Sequence, residues 1–193
     1  PIKQSALVIG GGIAGMTAGL AIADHGFEVD LVEKEKLLGG NLNWLDRTLD
    51  GDEIEPFLKD TVARVMDHSN ITVHTESKIV DTIAHVGRFM SVINNEDNPD
   101  PSVINHGSVI LATGGIESET TSFEHHNSDA VVTQKELDQN IKNGSLKTEN
   151  LNSVVMIQCV DSRQEPRNYC SRVCCASALK NALHLKEKNP DVS

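Results

Sequence analysis

Two sets of residues in this sequence have the types and spacing of chemistry. The first is Gly10-x-Gly12-x-x-Gly15. Between a strand and a helix, this spacing brings backbone onto a pyrophosphate: Gly10 allows the tight turn, Gly12 the close approach and Gly15 the packing of the helix. Ile13 and Ala14 would open that helix, where free N–H groups and the positive end of the dipole face the anion. Glu33 stands at the distance where such motifs place an acid on a ribose hydroxyl. A carboxylate there disfavours a 2′-phosphate, which sets NADP aside. The second set is Cys159, Cys170, Cys174 and Cys175, the only cysteines in the chain. Four thiolates can ligate a [4Fe–4S] cluster or zinc. The spacing is not the C-x2-C-x2-C of bacterial ferredoxins, and adjacent ligands are uncommon in zinc ribbons. A redox-active disulfide and structural or free thiols therefore stay open on spacing alone.

Particular elements must position these residues. Ser5–Ile9 is an apolar run ending at the glycines and reads as a buried parallel strand. Ile13–His25 reads as a helix stopped by Gly26, and Phe27–Glu33 as the second strand. Together they form a βαβ unit over a parallel sheet. Leu38–Asn43 is a glycine-bearing loop. Ile54, Phe57, Leu58, Val62, Val65 and Met66 give helical spacing to Asp52–His68. Asn70–Thr75 and Ser108–Ala112 read as further strands. Ile79–Val86 and Phe89–Ile93 read as an antiparallel pair broken by Gly87. Beyond these lie a polar loop at Glu117–Asp129, a short helix at Gln134–Ile141, a strand at Ser153–Gln158 and a helix at Cys174–Lys188. His125-His126 reads as solvated loop, because neighbouring side chains rarely share one metal ion. A domain boundary is expected at Asn143–Asn152, separating residues 1–145 from 146–193.

Bulk properties narrow the function. The chain has 193 residues, 38% of them hydrophobic, which suits a globular protein. Aromatic residues make up only 3%, so the core must rest on aliphatic side chains. A net charge of −11 argues against nucleic acid as a partner, since phosphate binding needs a basic face. No apolar run is long enough for a membrane span. Pro1-Ile2-Lys3-Gln4 lacks the basic and apolar regions of a signal peptide, so a cytoplasmic location is expected. No Gly-x-Ser-x-Gly nucleophile elbow is present.

The wider N-terminal run, Val8-Ile9-Gly10-Gly11-Gly12-Ile13-Ala14-Gly15, then Ala18-Gly19, Gly26 and Val29-Asp30-Leu31-Val32-Glu33-Lys34, resembles the fingerprint of FAD-dependent disulfide-reductase-like flavoproteins. Leu38-Gly39-Gly40-Asn41 resembles the loop these proteins lay along the ribityl and pyrophosphate of FAD. Ala112-Thr113-Gly114 resembles their second glycine motif. NAD in the same loop is the alternative. Val154–Arg163, Asn168–Cys175 and Ala178–Ala182, with Val132-Thr133-Gln134, look like the A-type flavoprotein of heterodisulfide reductase and related sulfate-reduction electron-transfer subunits. The likeness covers nearly the whole chain. Asp161 departs from it, standing where that family has Gly.

The resemblance implies an α/β Rossmann-like FAD/NAD(P)-binding domain with a parallel sheet and an antiparallel crossover, incomplete here. The second, nicotinamide-domain-like segment would start at residue 146 and carry the cysteines. It implies FAD on Gly10, Gly12, Ile13, Ala14, Gly15, Glu33, Lys34, Gly39, Gly40, Asn41, Ala112, Thr113 and Gly114. It implies a [4Fe–4S] cluster on Cys159, Cys170, Cys174 and Cys175. The implied function is an electron-transfer subunit of a heterodisulfide reductase-like oxidoreductase, relaying or splitting electrons between flavin and clusters. No side chain is required as a catalytic acid or base. The implied partners are other redox subunits, with homo-oligomerisation left open. The alternative is a non-catalytic dinucleotide-binding or docking module with structural or zinc-binding thiols. The chain is expected to be a piece of a longer protein, because the family continues into further cofactor-binding segments.

Overall fold

The structure is a computed structural model describing residues 2–95 and 98–193; Pro1, the first residue of the N-terminal stretch Pro1–Gln4, lies outside the described residues with Glu96 and Asp97. The chain divides into two compact units, Pro1–Asn43 with Glu55–Gly115, and Trp44–Ile54 with Ile116–Ser193. The expected boundary at Asn143–Asn152 falls inside the second unit.

The first unit is built on β1 (Ser5–Ile9), α1 (Ile13–Asp24) and β2 (Glu28–Val32). After α2 (Ile54–Asp67) come β3 (Ile71–His74), β4 (Ser77–His85), β5 (Arg88–Asn95), β6 (Asn98–His106) and β7 (Ser108–Leu111). One sheet is parallel, in the order β3-β2-β1-β7. The second is antiparallel, in the order β4-β5-β6. The expected antiparallel pair is thus a three-stranded sheet. Leu7 and Val8 are both fully buried. Val8 packs with Met16 and Leu20 of α1, while Leu7 packs with Val32, Ile93 and Ile104. Burial on both faces is what makes β1 read as a continuous apolar run. On α2 the working stripe is narrower than its spacing suggests: Val65 is fully buried, but Phe57 and Met66 are exposed.

The antiparallel sheet holds a polar chain that runs from the buried His106 and Ser91 to the exposed Thr82. His106 Nε2 lies 2.9 Å from Ser91 Oγ, which lies 2.9 Å from Thr82 Oγ1. His106 Nδ1 lies 3.0 Å from the Ser108 carbonyl. A carbonyl only accepts, so Nδ1 carries the proton and Nε2 accepts from the Ser91 hydroxyl. Burial pushes the His106 imidazole below its ordinary value, against the opposing pull of the Ser108 carbonyl and Asp30.

The second unit contains α3 (Gln134–Lys142) and α4 (Cys174–Lys188), packed through Leu137, Leu185 and Val192. Thr133 and Glu136 form a capping box at the start of α3. Ser153–Gln158 is not a strand. Its alternation is real, since Val154 and Met156 join the core while Val155 and Ile157 are exposed. A strand also needs a ladder, and among the described residues none lies alongside; the Val154 N–H goes to the Ser193 carbonyl instead. Among the described residues no helix is long and apolar enough to cross a membrane.

Candidate functional site

The first site forms where β1, β2 and β7 end, the position at which open α/β sheets bind ligands. Three segments separated in sequence meet there. The Gly39 N–H donates to the Gly11 carbonyl at 2.8 Å, which lays the second glycine loop on the first. The Ala112 N–H donates to the Ile9 carbonyl at 2.8 Å. Asn41 Nδ2 donates to the Gly115 carbonyl at 3.2 Å, closing the loop of residues 39–41 on the segment after β7. Ile13 and Ala14 open α1, and Lys34 is exposed beside Glu35.

The glycines of the first loop are not equivalent. Gly10 has φ +111°, and a Cβ there would collide with the Ala112 carbonyl. A Cβ at Gly15 would collide with the Gly10 carbonyl. Both are glycine because the chain itself requires it. Gly12 is different. It has φ −75° and ψ −177°, extended backbone open to any residue, and a Cβ there would meet no protein atom within 4 Å. Its glycine leaves space free at the N-terminus of α1, where a diphosphate fits the helix dipole. The residues present therefore suit a dinucleotide.

Glu33 is buried just past β2. Its Oε2 accepts the Gly11 N–H at 2.6 Å and its Oε1 accepts the Glu35 N–H at 2.9 Å. The acid braces the glycine loop, a role its position in the motif does not reveal. Each carboxylate oxygen keeps a second lone pair that can accept from a hydroxyl.

The second site belongs to the second unit. Cys159 and Cys174 are half-buried, Cys170 and Cys175 exposed, and all four are free thiols. Helix α4 begins at Cys174, so Cys170 does not share a helical face with it. The Arg172 N–H donates to Cys170 Sγ at 3.3 Å. The neighbouring Cys174 charge pushes the Cys175 thiol up, followed by burial, a Cys174 contact and the charges of Cys159 and Cys170. The donor chemistry suits a thiolate-ligated group, but the arrangement is open: among the described residues no three His, Cys, Asp or Glu side chains are placed to hold a metal ion.

Asp161 has φ +52°, the left-handed conformation that favours glycine. Its carboxylate accepts the hydroxyls of Thr120 at 2.5 Å and Ser122 at 3.1 Å. The sequence marks the position but not these partners. It also suggests a solvated loop at His125, whereas His125 is buried with Nε2 2.9 Å from Glu136 and Nδ1 3.1 Å from the Thr120 carbonyl. Both ring nitrogens face acceptors, and the Glu136 bond foremost raises the imidazole above its ordinary value.

Residues 5–51 match the FAD binding domain family. An A-type chain of the CoB–CoM heterodisulfide reductase of Methanopyrus kandleri, named an iron-sulfur subunit, is 26% identical across 98% of this chain and 42% of its own length. The chain resembles the A-type flavoprotein of heterodisulfide reductase. Its counterpart from Methanocaldococcus jannaschii is 24% identical over 98% of this chain and 42% of its own. That of Methanosarcina acetivorans, named as ferredoxin- and F420H2-dependent, is 23% identical over 98% and 35%. The chain therefore spans about two fifths of these relatives. The M. kandleri alignment runs over 285 residues against 193 in this chain, so that relative carries further residues inside the matched span. Among solved structures, L-proline dehydrogenase from P. horikoshii matches with a TM-score of 0.62 and 18% identity, over 96% of this chain and 33% of that one. That likeness shows the Rossmann-like α/β fold.

Proposed function

We propose that this chain is the flavin-binding part of an FAD-dependent oxidoreductase subunit of the heterodisulfide reductase type. It would hold FAD in the first unit and a [4Fe–4S] cluster on Cys159, Cys170, Cys174 and Cys175, and pass electrons to other redox subunits in the cytoplasm. The observation that carries the reading is Gly12, a glycine that neither backbone strain nor packing explains and that keeps the end of α1 open. FAD would supply two-electron chemistry and the cluster one-electron transfer.

The protein's own residues bind and orient. The N–H groups at the start of α1, at Ile13 and Ala14, would face the diphosphate with Gly12. Glu33 would keep the loop in shape through Gly11 and accept from the adenosine ribose with its remaining lone pairs. Gly39, Gly40 and Asn41 on one side and Ala112, Thr113 and Gly114 on the other would border the cofactor. None of these residues needs to move a proton.

The second reading is a non-catalytic dinucleotide-binding or docking module with structural or zinc-binding thiols, and one observation favours its structural-thiol form: among the described residues no three of the thiols are placed to hold a metal ion. Anaerobic purification with flavin and metal analysis separates the two. The first reading expects FAD and about four irons per chain, the number four thiolates hold. A colourless protein with four titratable thiols, or one holding zinc, would establish the second.

A further inference from the structure

We propose that Asp161 is a positioning residue that fixes the turn carrying Cys159, by gathering the hydroxyls of Thr120 and Ser122 on one carboxylate. The backbone at Cys159, Asp161 and Arg163 has φ of 61°, 52° and 62°. L side chains disfavour this conformation, Asp less than most. A turn of this kind persists only when its surroundings over-determine it.

The constraint comes from about forty residues upstream. Asp161 Oδ2 accepts Thr120 Oγ1 at 2.5 Å, and Oδ1 accepts Ser122 Oγ at 3.1 Å. Thr120 is itself held twice. Its Oγ1 accepts the Ser122 N–H at 3.1 Å, and its carbonyl accepts His125 Nδ1–H at 3.1 Å. The other nitrogen of His125 reaches Glu136, the residue that completes the capping box of α3. A continuous tether thus runs from the start of α3 to the residue two beyond Cys159. A glycine at 161 would supply the left-handed backbone but not the tether. This chain instead combines a residue tolerant of that backbone with an anchored carboxylate. The inference deepens the thiol-site reading and rests on it only for the iron measurement below.

The test is the alkylation rate of Cys159 by iodoacetamide in reduced, iron-free protein, followed by mass spectrometry of its peptide, with Cys170 as internal reference. Asp161→Gly keeps the backbone freedom and removes the anchor. Thr120→Val removes the anchor from the other side without touching the turn. Thr120→Val is expected to raise the Cys159 rate about tenfold, the factor for losing one charge-assisted hydrogen bond, and Asp161→Gly, which also loses the bond from Ser122, by at least as much. The rate at Cys170 is expected to hold. The double variant should go no further than Asp161→Gly alone, because that change already removes the bond that Thr120→Val cuts. Thr120→Ser retains the hydroxyl and should restore the original rate. An unchanged Cys159 rate in Asp161→Gly, full additivity in the double variant, or failure of Thr120→Ser to restore the rate would overturn the proposal. Anaerobic reconstitution with iron and sulfide is run in parallel, with lower uptake expected in Asp161→Gly than in the unaltered protein. If the unaltered protein takes up no iron, the cluster reading fails, while the alkylation rates still decide the role of Asp161.

Discussion

Gly12 and Gly15 belong to one motif, yet the structure assigns them opposite sensitivities. At Gly12 a Cβ meets nothing within 4 Å, and φ −75° with ψ −177° suits alanine. Losing glycine at a helix N-cap costs up to about 1 kcal/mol. Reduced freedom in the unfolded chain returns about 0.4–1 kcal/mol. Gly12→Ala should therefore leave the unliganded protein within about 1 kcal/mol of its original stability, roughly 2–4 °C in Tm for a chain this long. The methyl group would occupy the space proposed for the diphosphate. Losing one backbone N–H bond to a phosphate costs about 1.5–3 kcal/mol, a loss in FAD affinity of roughly ten- to a hundred-fold. At Gly15 the Cβ collides with the Gly10 carbonyl, which is backbone and cannot rotate away. Gly15→Ala should cost about 1–3 kcal/mol or more before any ligand is added. The assay pairs thermal unfolding of the unliganded variants with FAD titration by flavin fluorescence. Unaltered FAD affinity in folded Gly12→Ala would remove the cofactor from this loop. A large loss of stability in Gly12→Ala would show that the space beside Gly12 is not open.

Three further outcomes are expected. Glu33→Gln replaces one acceptor facing the Gly11 or Glu35 N–H with a donor; it should lower FAD affinity about ten- to a hundred-fold, and equal affinity by titration would leave Glu33 as a loop brace without a cofactor role. Replacing Cys174 and Cys175 together with Ser should abolish iron uptake on anaerobic reconstitution, whereas uptake of about four irons as before would refute the ligand assignment. His106, whose imidazole sits below its ordinary 6.5 in the fold, takes up a proton more readily when unfolded; the stability it contributes is present above about pH 6.5 and lost as pH falls through the folded value. Urea midpoints at neutral and mildly acidic pH should therefore diverge less in His106→Gln than in the unaltered protein, and an equal divergence would refute the linkage.

The first unit was legible where its signals are local. The strand, glycine turn, helix and second strand around Gly10–Gly15 announce themselves within some thirty residues, and the structure follows them closely. Strand β6 is not legible in the sequence because Pro99, Asp100 and Pro101 lie within Asn98–His106 and signal loop. Among the described residues it pairs only with β5, and an edge strand tolerates proline because part of its backbone needs no ladder partner. Ser153–Gln158 is the opposite case, since alternation records which side chains are buried and says nothing of whether a neighbouring strand exists. Trp44–Ile54 gave no sign of belonging with residues 116–193. The Arg47–Glu187 ion pair at 2.7 Å and the His184–Asp46 contact at 3.5 Å join positions well over a hundred residues apart.

The two candidate sites differ in what holds them, and that bears on how the function can fail. The proposed diphosphate cradle is fixed by steric necessity at Gly10 and Gly15 and by ordinary sheet hydrogen bonds, so its shape follows once β1, β2 and β7 pair. The thiol group lacks such a scaffold. Cys159 sits in a turn between no regular elements, Cys170 precedes α4, and only Cys174 and Cys175 belong to a helix. Its geometry depends on side-chain anchors such as Asp161 with Thr120 and Ser122, each removable by a single substitution. Damage to the anchors should therefore lower iron uptake at the proposed thiol site and spare flavin binding, because the bonds these anchors make lie within the second unit. A protein that keeps its flavin and loses its iron after Asp161→Gly would show that separation directly. Loss of both together would mean that the sites depend on each other through contacts other than these anchors.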